Sequence, residues 1–66
     1  MHSRIDIITN AVNLVELKSE HHKAQAELNR KTGEWGVWLD GRLVCTRVVR
    51  DAAIDTAMTL LHNQEK

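Results

Sequence analysis

Two adjacent histidines, His21 and His22, follow Glu20 and form the densest set of metal-ligating side chains in this 66-residue sequence. On a helix, neighbouring side chains point about 100° apart, and helical zinc sites place their histidines four residues apart. His21 also continues an apolar stripe through Ala24 and Leu28. We therefore expect a packed histidine at this position and no metal site.

Cys45 is the only cysteine and lies within an apolar run, where a free thiol behaves as a small hydrophobe. No Ser-His-Asp arrangement, glycine-rich phosphate loop or carboxylate pair stands out in the sequence. A single cysteine excludes an internal disulfide and suits a reducing compartment. Polar residues interrupt every apolar run before it reaches the length of a membrane span. We expect a cytoplasmic protein that is not an enzyme and carries no cofactor.

Trp38 and three arginines, Arg42, Arg47 and Arg50, are the candidates for contact with a partner. Tryptophan and arginine are enriched at the energetic centres of protein interfaces, which favours a protein partner. The alternative is DNA, since a two-stranded ribbon carrying arginine can enter the major groove. Nine basic and nine acidic side chains cancel, whereas nucleic-acid binders usually carry a basic excess. Solvated or ion-paired arginines are the third interpretation.

The first half of the chain predicts a long helix over residues 4–31. Ser3 and Asp6 have the spacing of a capping box at its start, and Gly33 suits its end. The apolar residues of its first part cover two sides of the helix, which therefore needs two packing partners. One row, at coiled-coil spacing, consists of Ile5, Ile8, Val12 and Val15.

The second half predicts a β-hairpin over residues 34–49 and a helix over residues 51–63. Asp40-Gly41 separates two β-rich runs, and Asp-Gly suits a type I′ turn because both central residues need positive φ. Asp51 is a suitable cap for the following helix. We expect a single α+β domain over the whole chain, in the order α-β-β-α.

Pairing outward from the Asp40-Gly41 turn assigns the hairpin side chains to two faces, both largely apolar. With an uninterrupted register Val37 opposes Val44. One face then carries Trp35, Val37, Leu39, Val44 and Val48. The other carries Trp38, Leu43, Cys45, Val49 and Arg47.

More apolar surface surrounds these elements than so short a chain can bury by itself. A domain of this size buries only about 60% of the surface of its unfolded chain, and an isolated hairpin is marginally stable. We therefore expect an intertwined or helix-paired homodimer. An obligate complex with another protein and a monomer are the alternatives. The expected dimer interface consists of Ile5, Ile8, Val12, Val15, Trp38 and Leu43.

Residues 34–41 read Glu-Trp-Gly-Val-Trp-Leu-Asp-Gly, and a second strand then leads to Ala53, Ala57 and Leu60. In this pattern residues 34–61 resemble small bacterial and phage-borne domains of unknown function, which combine a Trp-x-Val hairpin with a following helix. They resemble more distantly the AP2-like domain of phage integrases, which binds DNA through its sheet. The resemblance implies a phage or mobile-element origin. We expect a small homodimeric protein-binding module, a regulator or inhibitor, that uses a surface near the hairpin.

Overall fold

The structure, a computed structural model, describes residues 4–64 and folds them into five strands and one helix. The elements are β1 (Asp6–Asn10), β2 (Leu14–Lys18), β3 (Lys23–Leu28), β4 (Trp35–Leu39), β5 (Arg42–Arg47) and α1 (Arg50–Gln64). The strands form one antiparallel sheet in the order β1-β2-β3-β4-β5, with α1 packed on one face. Within the described residues, no helix has the length and apolar character needed to cross a membrane.

The predicted α-β-β-α order is wrong, because residues 4–31 form β1, β2 and β3 in place of a long helix. Lys23–Leu28 reads Lys-Ala-Gln-Ala-Glu-Leu, and Ala24 and Ala26 are buried while their neighbours are not. Such alternation is the period of a half-buried strand. The predicted helix cap at Ser3 lies outside the described residues. Because the long helix does not form, two copies cannot pair through it in the way that was predicted.

Two tight turns separate the strands of this first half. The Ala11 amide donates a hydrogen bond to the Leu14 carbonyl at 2.8 Å, which closes the turn between β1 and β2. The Ser19 amide donates to the His22 carbonyl at 2.9 Å, which closes the turn between β2 and β3. Asparagine and serine, which favour turns, flank both reversals. These reversals allow each short strand to pair with the next.

The second half of the chain contains a hairpin and a helix close to the predicted positions. Asp40 and Gly41 have φ angles of 51° and 83°, the positive values that a type I′ turn requires. The hairpin is not isolated, because β3 pairs with β4 on its other side. Three consecutive strands, β3 to β5, therefore precede α1.

A β-bulge changes the predicted faces of the hairpin. Val37 pairs with Cys45 and not with Val44, because β5 carries one extra residue at this point. An extra residue moves the side chains beyond it to the opposite face of the sheet. Arg47 therefore lies on the helix side, and its predicted position on the same face as Trp38 is wrong.

The helix packs on the centre of the sheet through alanines from both elements. Ala53 and Ala57 of α1, and Ala24 and Ala26 of β3, are each at most 1% exposed. Because alanine ends at Cβ, helix and strand can approach closely. The rest of the buried apolar core consists of Val15, Leu17, Trp35, Val37 and Leu61. Among the described residues the helix packs on β2 to β5, whereas it meets β1 only through the hydrogen bond from Arg50 to Asn10, so most of this margin of the sheet stays uncovered.

Replacing Ala57 by leucine should destabilise the fold by about 1–3 kcal/mol, because a larger side chain would push α1 away from the sheet. Urea unfolding followed by tryptophan fluorescence measures the loss. Thr59→Leu is the matched control on the exposed side of α1, with an expected change within about 0.5 kcal/mol. Equal stability of the two variants would contradict the close packing.

Candidate functional site

The sheet face opposite α1, here called the open face, is the main free surface of the described chain. It carries Thr9, Glu16, Lys23, Gln25, Trp38 and Leu43, which the strand registers place side by side. An antiparallel sheet can leave one face in water when that face is polar. This face is polar over β1 to β3 and apolar toward β5, and the two parts differ in what they can do.

The polar part of the open face is fixed by an ionic network around Glu16. The Lys23 ammonium donates to Glu16 Oε2 at 2.6 Å, and the Thr9 hydroxyl donates to Oε1 at 2.8 Å. The hydrogen bond from Lys23, followed by that from Thr9, holds the pKa of Glu16 below its usual range. Both oxygens are thus occupied by neighbouring side chains, so Glu16 is placed to hold the sheet face rigid and not to exchange protons.

The apolar part of the open face is a groove beside Trp38 and Leu43. Its floor is Gly36, and its far wall is the loop between β3 and β4, residues 29–34. The groove encloses about 480 Å³, which lies within the usual range of 300–1,000 Å³ for binding sites. Leu43 is 54% exposed, and Trp38 is only partly buried. The site is therefore an accessible apolar surface with an aromatic wall.

Gly36 allows the side chains of Trp38 and Leu43 to pack closely over the strand because it has no side chain of its own. A Cβ added at Gly36 would lie 3.1 Å from Trp38 Nε1 and 3.3 Å from Leu43 Cδ1. Glycine weakens a strand interior and often marks a place where another group approaches closely. The absence of a side chain here lets Trp38 and Leu43 lie close over Gly36, so that together they form one wall of the groove.

The charges around the groove cancel. Glu27 and Glu34 are acidic, whereas Arg30 and Lys31 are basic, and all four belong to β3 or the following loop. The loop is closed by the Asn29 amide, which donates to the Glu34 carbonyl at 2.8 Å. The groove therefore selects for shape and apolar contact, and not for the sign of a ligand's charge.

Asp40 ties the two turns at the same end of the sheet together. His22 Nδ1 lies 2.6 Å from Asp40 Oδ2, and the Lys23 amide donates to Asp40 Oδ1 at 3.0 Å. The Asp40 amide in turn donates to the Lys23 carbonyl at 2.7 Å. The hydrogen bond from His22, followed by that from the Lys23 backbone, lowers the pKa of Asp40. This clasp holds the turn that starts β5.

The three arginines predicted to bind a partner lie in three different settings. Arg42 is exposed beside the hairpin turn. Arg47 Nε donates to the Thr56 hydroxyl of α1 at 3.2 Å. The Arg50 guanidinium donates to the Asn10 side chain and to a carbonyl of the β1–β2 turn. Arg50 thus anchors the start of α1 to the far end of the sheet. The structure does not bring the three onto one surface with Trp38.

The residues predicted to form the dimer interface also separate into groups. Val15 lies in the core of its own chain, so it presents no surface to a second copy. Ile5 packs partly against that core. Ile8 and Val12 are exposed at the β1 margin, whereas Trp38 and Leu43 belong to the open face. The exposed residues of the predicted dimer interface therefore lie on two separate surfaces of the molecule and not on one.

His21, predicted to be packed, lies in the exposed turn between β2 and β3 with 70% of its side chain accessible. The packed position depended on a helix that does not form. Cys45 is partly buried against the core on the helix side of β5. Among residues 4–64, no group of three or more His, Cys, Asp or Glu side chains could hold a metal ion.

Comparison with protein-family models, with curated proteins and with solved structures found no match to this chain. The resemblance of residues 34–61 to phage-borne domains and to the AP2-like domain stays a prediction. The support for a functional site is therefore the geometry of the site itself.

Three functional features were not predicted from the sequence. In the sequence, Gly36 is recognisable as an isolated glycine within a predicted strand. Such a glycine suggests close approach of another group, and this was the available signal. The Glu16–Lys23 pair requires β2 and β3 to be recognised as neighbours. The alternation of Lys23–Leu28 is the signal that could have shown this. The contact of His22 with Asp40 joins turns 18 positions apart, and no local pattern reports it.

Asp40→Asn should reduce stability at neutral pH, because asparagine keeps the type I′ turn but removes the carboxylate that His22 and Lys23 bind. The pKa of Asp40 in the folded chain lies below its ordinary value of 3.8. The carboxylate therefore stabilises the fold above the unfolded-state pKa, and this contribution is lost as pH falls through the lower, folded-state pKa. Urea unfolding at several pH values should show wild type and variant converging at acid pH.

Asp55→Asn, on the exposed side of α1, is the control for the same change of acid to amide. A stability difference between wild type and Asp40→Asn that does not change with pH would show that the carboxylate charge is not the cause.

Proposed function

We propose that this chain is a small cytoplasmic protein-binding module, and that the apolar part of the open face is the surface that takes the partner. The observation that carries the proposal is the groove of Gly36, with partly exposed Trp38 and Leu43 as one wall. A rigid tryptophan beside an apolar pocket is typical of the energetic centre of an interface.

The structure around the groove supports binding without large rearrangement. Trp38 and Leu43 pair directly across β4 and β5, so backbone hydrogen bonds hold this wall in place. The Asp40 clasp fixes the adjoining turn. A surface that is ordered before it binds loses less conformational entropy on association. Partner side chains would enter between the walls and displace water from apolar area.

Regulation or inhibition of a partner fits a small chain that offers an accessible apolar binding face. The DNA-binding alternative receives less support, because Arg50 anchors the start of α1 to Asn10 and the chain has no net positive charge. Affinity for mixed-sequence DNA that falls steeply with salt would favour that alternative over the proposal.

Trp38→Ala should abolish capture of a native partner, because a truncated anchor at an interface centre costs about 2 kcal/mol or more of binding free energy. Gly36→Ala should weaken capture as well, since the added methyl group would displace the Trp38 and Leu43 side chains that form one wall of the groove. Affinity capture from a lysate of the native cells, with quantitative mass spectrometry, measures both. Val48→Ala is the control, because Val48 is 78% exposed and lies outside the groove.

Circular dichroism must show that each variant folds. A captured protein that is retained equally by wild type, Trp38→Ala and Gly36→Ala would contradict the placement of the site on the open face.

We also propose that the module is a homodimer joined through the margin of β1. Ile7 and Ile8 are exposed there, and the neighbouring Val12 is 88% exposed. The helix leaves this margin uncovered in the described chain. Arg4 and Asp6 form an ion pair and cancel locally, so two copies of the margin can meet without like charges opposing each other. A two-fold interface of this kind uses the same patch on both subunits.

Ile8→Glu should convert the dimer to a monomer, because it places a carboxylate at the centre of the apolar contact. Sedimentation equilibrium should give twice the 7.5 kDa chain mass for wild type and the single chain mass for the variant. Val44→Glu is a matched control, since Val44 is 48% exposed on β5 and Ile8 is 53% exposed on β1. A wild-type chain that sediments at 7.5 kDa at micromolar concentration would contradict the dimer.

A further inference from the structure

The outer margin of β5 combines positive charge with exposed apolar side chains. From Arg42 to Arg50 the sequence contains three arginines and no acidic residue. Five of the six residues of β5 are exposed, and the exception is Cys45. Leu43 and Val44 are about half exposed. This margin is therefore basic as well as apolar, in a chain whose net charge is zero.

One side of β5 is available for backbone pairing. The strand is last in the sheet order and pairs with β4, and no described element pairs with its other side. An edge strand presents unpaired amide and carbonyl groups, which form a template for a further strand. A partner segment in extended conformation can use this template, with side-chain pockets providing specificity.

The bulge brings Arg42 and Arg47 to the same side of the sheet. In a regular strand, residues five positions apart point to opposite faces. The extra residue in β5 changes this, so that Arg42 pairs with Leu39 and Arg47 pairs with Trp35. Leu39 and Trp35 both face the core under α1. Leu43, by contrast, pairs with Trp38 on the open face. The margin thus shows two cations on one side and apolar groups on the other.

A second copy of β5 does not fit this margin. Full antiparallel overlap of the strand with its two-fold copy would bring Arg42 opposite Arg47 of the other copy, and like charges facing each other across strands are destabilising. The bulge also interrupts the regular edge of β5, which reduces indiscriminate pairing with other strands. Charge therefore disfavours self-pairing in this register and favours an occupant with acidic side chains.

We propose that the β5 margin binds an extended, acidic segment of the partner protein, in which acidic and apolar side chains alternate. The acidic side chains lie toward Arg42 and Arg47 on the helix side. The apolar side chains lie toward Leu43 and Trp38 and enter the groove that these two residues line. This inference rests on the proposed function and specifies the chemistry of the partner that the open face receives.

The test uses a short synthetic peptide of alternating glutamate and valine, titrated into the full chain and followed by backbone amide NMR. A peptide with lysine in place of glutamate is the matched probe. We expect the glutamate peptide to shift and protect the amides of β5, and the lysine peptide to have no effect. Arg42→Glu should lower the affinity for the glutamate peptide by roughly fivefold. Lys18→Glu makes the same change of charge at an exposed position of β2 that lies outside the groove and outside β5, and it should leave the affinity of the glutamate peptide unchanged.

The proposal is overturned if both peptides bind equally, if the shifts map to β1, or if mixed-sequence DNA shifts the β5 amides while the glutamate peptide does not. Trp38-dependent capture of a native partner, without any response of β5 to the glutamate peptide, would leave the open-face site standing and overturn the acidic segment alone. Loss of peptide binding in both Arg42→Glu and Trp38→Ala, with folding intact, supports the inference and the proposed site together.

Discussion

The packing of α1 on β3 through buried alanines of both elements is the constraint on which the rest of this structure depends. Ala53, Ala57, Ala24 and Ala26 are buried almost completely, and they place the helix directly over the central strands. A single helix of 15 residues covers only part of a five-stranded sheet. Its position over β3 and β4 therefore leaves both the β1 margin and the whole open face without cover.

The uncovered surfaces differ in polarity and shape, and therefore in how their exposed side chains are accommodated. The open face is polar near Glu16, where the ionic network satisfies the side chains without help from another chain. Near Trp38 it is apolar, and Trp38 and Leu43 line a groove beside the loop of residues 29–34. The two margins carry β-bulges, in the β1–β2 and β4–β5 pairs, which reduce indiscriminate strand pairing. A small core is thus combined with surfaces that differ in charge and shape, which suits selective binding.

Sequence patterns predicted the second half of the chain better than the first, for identifiable reasons. The Asp40-Gly41 pair specifies its turn locally, and Ala53 and Ala57 have helical spacing. In residues 4–31 the strands are only five or six residues long, and alanine in β3 is a strong helix former, so a helical pattern fits by coincidence. The bulge could not be foreseen, because it depends on pairing across β4 and β5. Trp38 was identified as a candidate contact, but its partner in the groove, Gly36, was not.

Hydrogen exchange resolved by residue tests the central claim most directly, because it reports which backbone amides the packed core protects. Strand β3 pairs on both sides and lies under the helix, so the amides of Ala24 and Ala26 should be among the slowest to exchange. The outward-facing amides of β1 and β5 should exchange fastest among the strands. Uniform slow exchange with helical carbon shifts across residues 4–31, or rapid exchange in β3, would contradict this account of the fold and of the surfaces derived from it.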